Sequence, residues 1–328
     1  MTDDELLLDI VSYGRASPIH RRPLSIGQIK HITRTVGRTP EVMVKVVNQG
    51  SNSLAGVGRH VDYIGRKGKV DLETDDGEIL RGKDAGIDLL EDWNLDLVEQ
   101  REKTNLTPNK AKEPPRLVYK LIFSMPPGTP PEKVHVAVRN FAREEFGLKH
   151  RYVMALHTDE PHPHVHLVLK ARSDEGQRLY LRKATLREWR AGFAHHLRAL
   201  GVSANATPRH VRGVTSPRKS DGIYRAGLRG ESTHVRERVE AVARELNAGK
   251  LQIELGKEKL LRTREAVRRG WLALIDTFSR DGHTEIAAHV KRHVEQMPRP
   301  GTEKEYIAAR MSVRRVREPR ASEREFSR

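Results

Sequence analysis

The chain has 328 residues, 37% of them hydrophobic, and no cysteine. That is enough for one large domain or two modest ones, and it excludes disulfides and thiolate metal sites. Sixty Lys and Arg against forty-four Asp and Glu leave a formal charge of +16, which favours a polyanionic partner, most simply nucleic acid.

Residues 1–40 are expected to form an N-terminal arm. Its start, Met1-Thr2-Asp3-Asp4-Glu5, lacks the basic region of a signal peptide, and no apolar run is long enough to span a bilayer. A cytoplasmic protein without membrane insertion is the expectation. Within the arm, Leu6 to Val11 and Ile26 to Val36 read as short helices around the basic, proline-broken stretch Arg15 to Pro23. Val42 to Val47 is β-branched and reads as a strand. Ser51 or Ser53 can then cap a helix running to about Lys67 and closed by Gly68. Leu54, Val57, Val61 and Ile64 form its apolar stripe. Tyr63 points away from that stripe, with Arg59 and Arg66 four residues before and three after it on the same far face. Free phenols ionise near pH ~10 and are poor nucleophiles at neutral pH. Cations beside a phenol favour its phenolate and also hold phosphate. By itself, the pattern also suits an ordinary surface tyrosine in a basic helix.

Asp76-Gly77 signals a hairpin between Val70–Glu73 and Glu78–Leu80. Residues 81–115 read as a polar, partly helical insertion. Leu117 to Phe123 is a strand with Ser124 at its end. Thr129 is placed as the cap of a helix with Pro130 at its first position and Gly147 after its last. Thr185-Leu186-Arg187-Glu188 reads as a capping box opening a helix that buries Leu186, Trp189, Phe193, Leu197 and Leu200. From about 230 the chain is helical and basic. His234–Ala248, Leu251–Phe278 with a break near Gly270, and Glu285–Met297 are the expected segments, with an Arg-rich, disordered tail from about 311. The expected class is α+β: an antiparallel sheet with helices packed on it over 41–214, then a helical basic region over 215–328.

Between two strand-like runs, Tyr152–Leu156 and Leu167–Leu169, lies His157-Thr158-Asp159-Glu160-Pro161-His162-Pro163-His164-Val165-His166. The prolines stop both ladders, so two antiparallel strands joined by a stiff loop are predicted. His164 and His166 share one face of their strand, about 7 Å apart, while Val165, Leu167 and Leu169 take the other. His157 ends the preceding strand and can reach the same point. Three converging imidazoles suit a divalent cation with open coordination positions.

With these residues in view, His60-Val61-Asp62-Tyr63-Ile64-Gly65-Arg66-Lys67-Gly68-Lys69 resembles the nucleophile motif of conjugative relaxases, the single-strand endonucleases of the HUH superfamily. Phe123-Ser124-Met125-Pro126 resembles their second motif, and the histidine segment their third, in the same order. The resemblance is to the P-type mobilization class, which includes the endonuclease that nicks T-DNA borders, and it covers residues 40–214. It implies a palm-like HUH domain in which Tyr63 attacks a phosphodiester at an origin of transfer. His157, His164 and His166 would hold the metal, magnesium or manganese by resemblance; three imidazoles would bind zinc or nickel more tightly. Asp159 would orient a ligand imidazole or take the tyrosine proton, or simply form the turn. Ser124, Arg59, Arg66, Lys67 and His162 would contact DNA, with His162 also able to replace His157 as a ligand. The implied partners are single-stranded and supercoiled DNA at the origin, relaxosome accessory proteins and a type IV coupling protein, with the protein itself carried to the recipient cell. A rolling-circle replication initiator is the nearest alternative enzyme, but in those proteins the tyrosine usually follows the histidines. A non-catalytic DNA-binding scaffold of a relaxosome and a metal-dependent hydrolase unrelated to DNA are the alternatives outside that class.

Overall fold

The computed structural model describes residues 8–47, 50–95, 98, 115–215 and 221–317. Cα packing divides the chain into two units: Ile26–Ala206, and Leu8–Ser25 together with the residues from Thr207 on. The expected arm is therefore divided. Its first part belongs with the C-terminal helices and its second with the sheet.

In the first unit the elements run α2 (Ile26–Val36), β1 (Met43–Val46), α3 (Leu54–Ile64), β2 (Leu72–Thr74), β3 (Ile79–Leu80), α4 (Ala85–Asp92), β4 (Val118–Ser124), α5 (Pro131–Phe146), β5 (Tyr152–His157), β6 (His164–Lys170) and α6 (Lys183–Ala199). The strands form one six-stranded sheet in the order β1-β4-β6-β5-β2-β3, with every pairing antiparallel. This is the expected α+β architecture. One face carries Leu121, Phe123, Met154, Val165, Leu167 and Leu169 against Phe141 and Phe146 of α5 and Trp189 and Phe193 of α6. The other carries Val118, Val153, Ala155 and Val168 against Val57, Val61 and Ile64 of α3 and Leu89 of α4.

Several boundaries differ from expectation. Ser53 does cap α3, its hydroxyl accepting from the Gly56 N–H at 3.3 Å, but the helix stops at Ile64 with Gly65 as its C-cap. Arg66, Lys67 and Gly68 follow with φ of 50°, 56° and 84°, so the chain turns sharply where a longer helix was expected. Thr129 caps nothing: its hydroxyl donates to the Pro126 carbonyl, and Pro130 takes the cap position. α6 begins at Lys183, two residues before the expected capping box. The stretch expected as a polar insertion places Leu89, Trp93 and Leu95 in the core, each at most 1% exposed. These three sit among charges in sequence, which hid them. Residues 96–97 and 99–114 of that stretch lie outside the described residues.

The edge hairpin β2–β3 is fastened by a buried charge. Glu73 accepts two hydrogen bonds from the Arg139 guanidinium of α5, and His135 Nε2 lies 3.2 Å from the same carboxylate. Burial pushes the Glu73 carboxyl up, but its hydrogen bonds with His135 and Arg139 outweigh that and hold it at about 2, below the usual 4.5. A carboxylate with a depressed pKa stabilises the fold above its unfolded pKa and loses that contribution as pH falls through the folded value. The first unit should therefore lose about 3 kcal/mol from this group between pH ~4.5 and ~2. Glu73→Gln should cost a similar amount at pH 7 and flatten the acid limb of urea-unfolding midpoints against pH. Identical acid limbs for the two proteins would show that the pair contributes nothing.

The second unit is helical: α1 (Ile10–Arg15), α7 (Asp221–Leu228), α8 (Thr233–Asn247), α9 (Lys257–Arg280), α10 (Thr284–Glu295) and α11 (Glu303–Arg317). α9 runs unbroken through Gly270, against the expected interruption. The glycine is there for packing: a Cβ would run into the backbone of Ile10, and one on Gly14 would run into Gly270. α1 thus lies close on α9, with Tyr13 Oη 2.8 Å from Thr277 Oγ1. Met311–Arg317, expected to be disordered, belongs to α11; residues 318–328 lie outside the described set. No helix among the described residues is long and apolar enough to cross a membrane.

Candidate active site

The site is built from rows across the sheet. Residues directly opposite on neighbouring strands share a face. At the rim, Ser124, His164 and His157 stand side by side on β4, β6 and β5; the next row is Ile122, His166 and Ala155; the next is Lys120, Val168 and Val153. Period-two alternation puts all nine on the α3 side. The apolar rows inward seat α3, and the rim rows are left for its last turn to face.

The three histidines converge as expected. One nitrogen from each of His157, His164 and His166 lies within 4.8 Å of the others. Their ring centroids are 4.6 to 5.2 Å apart. Backbone carbonyls orient two of them. His157 Nε2–H donates to the Ile64 carbonyl at 2.7 Å, leaving Nδ1 as an acceptor; His164 Nδ1–H donates to the His162 carbonyl at 3.0 Å, leaving Nε2. His162 itself is exposed and stands outside the cluster, and its backbone carbonyl orients His164. His166 is 4% exposed, and its Nδ1 is buried with no hydrogen-bond partner.

The electrostatics suit a cation ligand set. Burial, then His157, His164, His60 and Arg66, lower the His166 pKa to about 3. Burial, with Arg66 and His164 adding to it, also holds His157 below the ordinary imidazole value, against the Ile64 hydrogen bond. Metal ligands must be neutral imidazoles, and both shifts favour that form. An orphaned ring nitrogen inside a three-imidazole cluster is what a bound divalent ion would satisfy. The residues present fit a metal.

Tyr63 stands beside this cluster. It is 52% exposed, its ring edge-on to His166 at 5.9 Å. The Arg66 guanidinium lies 5.2 Å from the Tyr63 ring centroid. Arg66 was expected there by helical spacing; it arrives instead through the left-handed turn after α3. Gly68 completes that turn against the backbone of Gly82, where a Cβ would not fit. Two consecutive non-glycine residues in this region carry strain, of the kind that gathers at functional sites. The turn folds Arg66 back to give Asp159 Oδ2 a 2.5 Å ion pair and to lie 3.3 Å from His157 Nδ1. Arg66 thus links Asp159 to His157. Lys67 and Arg59 are exposed on either side of Tyr63 in sequence. Ser124 is 5% exposed, next to His164, its hydroxyl donating to the Met125 carbonyl.

Two residues were missed from sequence. His60 stacks on Tyr63 at 6.0 Å and meets His166 edge-on at 6.1 Å. Burial, then Lys120 and His157, lower its pKa to about 4. Its position one helical turn before Tyr63 was the available signal. Lys120 lies in the third row, and alternation from Ser124 through Ile122 would have placed it on the site face.

Residues 63–200 match the family described as "Relaxase: MobA/VirD2-like, nuclease domain". The chain is similar to the T-DNA border endonuclease VirD2 of Agrobacterium fabrum, with 25% identity over 209 residues, 60% of this chain and 46% of the relative. It is similar to the protein of the same name from Rhizobium rhizogenes, with 27% identity over 140 residues, 40% of this chain and 31% of the relative. The Rhizobium radiobacter protein of that name is 26% identical over 140 residues, 40% and 32% of the two chains. In each case the match spans less than half of the curated relative.

Proposed function

We propose that this chain, whose residues 63–200 match the MobA/VirD2-like relaxase nuclease domain, nicks and recloses one DNA strand at an origin of transfer with Tyr63 as nucleophile. The observation that carries the reading is the Tyr63 ring set 5.9 Å from His166 within the three-imidazole cluster.

Tyr63 Oη attacks the scissile phosphorus. The Oη–P bond forms and the P–O3′ bond breaks, giving a 5′-phosphotyrosyl adduct and a free 3′-hydroxyl. The phenolic proton ends, in net balance, on the released 3′ oxygen. A divalent cation held by His157, His164 and His166 supplies charge withdrawal from that phosphate when bound. Arg66, tied to Asp159, offers the phosphate a guanidinium beside the phenol. This makes Asp159 a positioning residue rather than the base. Ser124, beside His164 on the rim, contacts the strand, as do Lys67, Arg59 and His162. The reaction is a transesterification whose adduct stores the phosphodiester energy, so the free 3′-hydroxyl can reverse it and reseal the strand.

In the cell the ion is magnesium or manganese, although the nitrogen ligands would take zinc or nickel from a purification buffer. The adduct pilots the strand, with relaxosome accessory proteins at the origin and a type IV coupling protein as the exit from the donor cytoplasm. A formal charge of +16 supports a nucleic-acid partner.

The test is covalent capture. Protein, Mn²⁺ and a supercoiled plasmid carrying the cognate origin are mixed, and the protein–DNA adduct is digested and mapped. A 5′-phosphotyrosyl group on the peptide containing Tyr63 is the expected product. Tight DNA binding without an adduct, in the presence of the accessory proteins, would replace the nuclease with a scaffold.

A further inference from the structure

Tyr63 has cations on two sides, and they differ. On one side Arg66 is paired with Asp159. On the other lie Lys120 and Arg59. Lys120 is half-buried on β4, and its ammonium donates to the Gly56 carbonyl at 3.3 Å, in the first turn of α3. Arg59 is exposed one turn further along α3. After burial, Arg59 is the charge that most depresses the Lys120 pKa, and no carboxylate contributes there. Among the described residues, neither forms an ion pair. Two neighbouring cations, one of them held on the first turn of α3, thus meet no carboxylate among the described residues, an arrangement that favours an anion.

The sheet register gives its distance from the chemistry. Lys120 is opposite Val168, and His166 is two residues before Val168 on the same strand and face. Such diagonal neighbours have Cα atoms about 7–8 Å apart, a spacing on the order of one nucleotide step of a single strand. His60 is stacked on Tyr63, and after burial Lys120 is the charge that acts on it most.

We propose that Lys120 and Arg59 form a second phosphate subsite, which holds the backbone phosphate adjacent to the scissile one on a DNA single strand. The proposal rests on the nuclease reading above and specifies how the strand is held across Tyr63. The subsite reads no base. It fixes the register of the backbone, so that the scissile phosphate meets both the phenol and the histidines.

The experiment measures binding of a 30-nucleotide thymidine oligonucleotide against salt for wild type, Lys120→Met and Arg59→Gln. Each variant should bind about tenfold more weakly at low salt, with the slope of log K against log salt reduced by about 0.7. Arg59 is exposed, so the second variant tests the subsite even where Lys120→Met disturbs folding. A single methylphosphonate is then moved through an oligonucleotide spanning the mapped nick. In wild type, neutralising one adjacent phosphate should weaken binding about tenfold; in Arg59→Gln the same change should cost less than about twofold. Unchanged slopes, or a coupled phosphate more than two nucleotides from the nick, would overturn the subsite while leaving the nuclease intact. Failure of wild type to bind the oligonucleotide or form its adduct would instead remove the nuclease reading.

Discussion

Tyr63→Phe protein should bind single-stranded DNA about as tightly as wild type, yet nick at least about 10⁴-fold more slowly and form no adduct. The substitution removes one oxygen from a half-exposed ring. The ring itself, with its contacts to His60, His166 and Arg66, is retained. Removal of a nucleophile costs several orders of magnitude in rate and leaves only binding and positioning behind. Four of the six other tyrosines are poorly placed. The Tyr119 hydroxyl donates to the Leu179 carbonyl at 2.8 Å, on the opposite face of the sheet. Tyr152 is buried, and burial pushes its pKa up to about 12. Tyr13 and Tyr306 belong to the second unit, where their hydroxyls lie within 3.0 Å of Thr277 and Thr215. Gel-shift and adduct assays on the same preparations separate binding from chemistry. Wild-type adduct yield from the variant would move the nucleophile elsewhere and dissolve the role assigned to the end of α3.

His166→Ala should lower divalent-ion affinity by about 10²- to 10³-fold and nicking by about 10³-fold, the several kcal/mol that a Lewis acid contributes at a phosphoryl oxygen. His166 is the ligand edge-on to Tyr63, its ring 4.6 Å from that of His157 and 5.2 Å from that of His164. Its neutral state, with a pKa near 3, means that no proton competes with the ion at physiological pH. The unloaded fold should change by only about 1 kcal/mol, because the side chain lost already leaves one buried nitrogen unsatisfied. Calorimetric titration with Mn²⁺ and Zn²⁺, thermal unfolding in chelator, and plasmid nicking read the three quantities apart. Chelation of wild-type protein should reproduce the nicking defect. His162→Ala is the control, since its exposed ring is outside the cluster and ion affinity should not move. Wild-type ion binding by His166→Ala would end the three-histidine reading.

The histidine hairpin was legible because its signals are local and redundant. Two prolines end the ladders, and a period of two puts His164 and His166 on one face whatever else the chain does. The same periodicity sorted Leu167 and Leu169 into the opposite core. The apolar stripe of α3 was legible for the same reason. Its end was not: nothing in Ile64-Gly65-Arg66-Lys67-Gly68 announces that arginine and lysine will adopt left-handed conformations. Those are imposed by the closeness of Gly68 to Gly82, a contact between residues fourteen apart. Arg66 came out next to Tyr63 by a route that helical spacing does not describe. Trp93 and Leu95 were lost in a charged stretch because burial depends on what lies opposite, here the underside of the sheet.

What the amino-acid order determined by itself is the strands of the sheet and the helices packed on it, though not the helices at Asp221–Leu228 and Glu303–Arg317, together with the chemistry of the side chains that share a face. Periodicity, caps and prolines act within a few residues, so they survive without knowledge of the rest. The tertiary structure alone decided the strand order β1-β4-β6-β5-β2-β3, and with it which faces meet. That order set Ser124 beside His164, Ile122 beside His166 and Lys120 one row inward. It also laid the last turn of α3 over the rim, so that Tyr63, His60 and Arg66 meet histidines about a hundred residues away. Such contacts arise from burying both faces of one sheet at once, a condition on the whole chain that no local stretch carries.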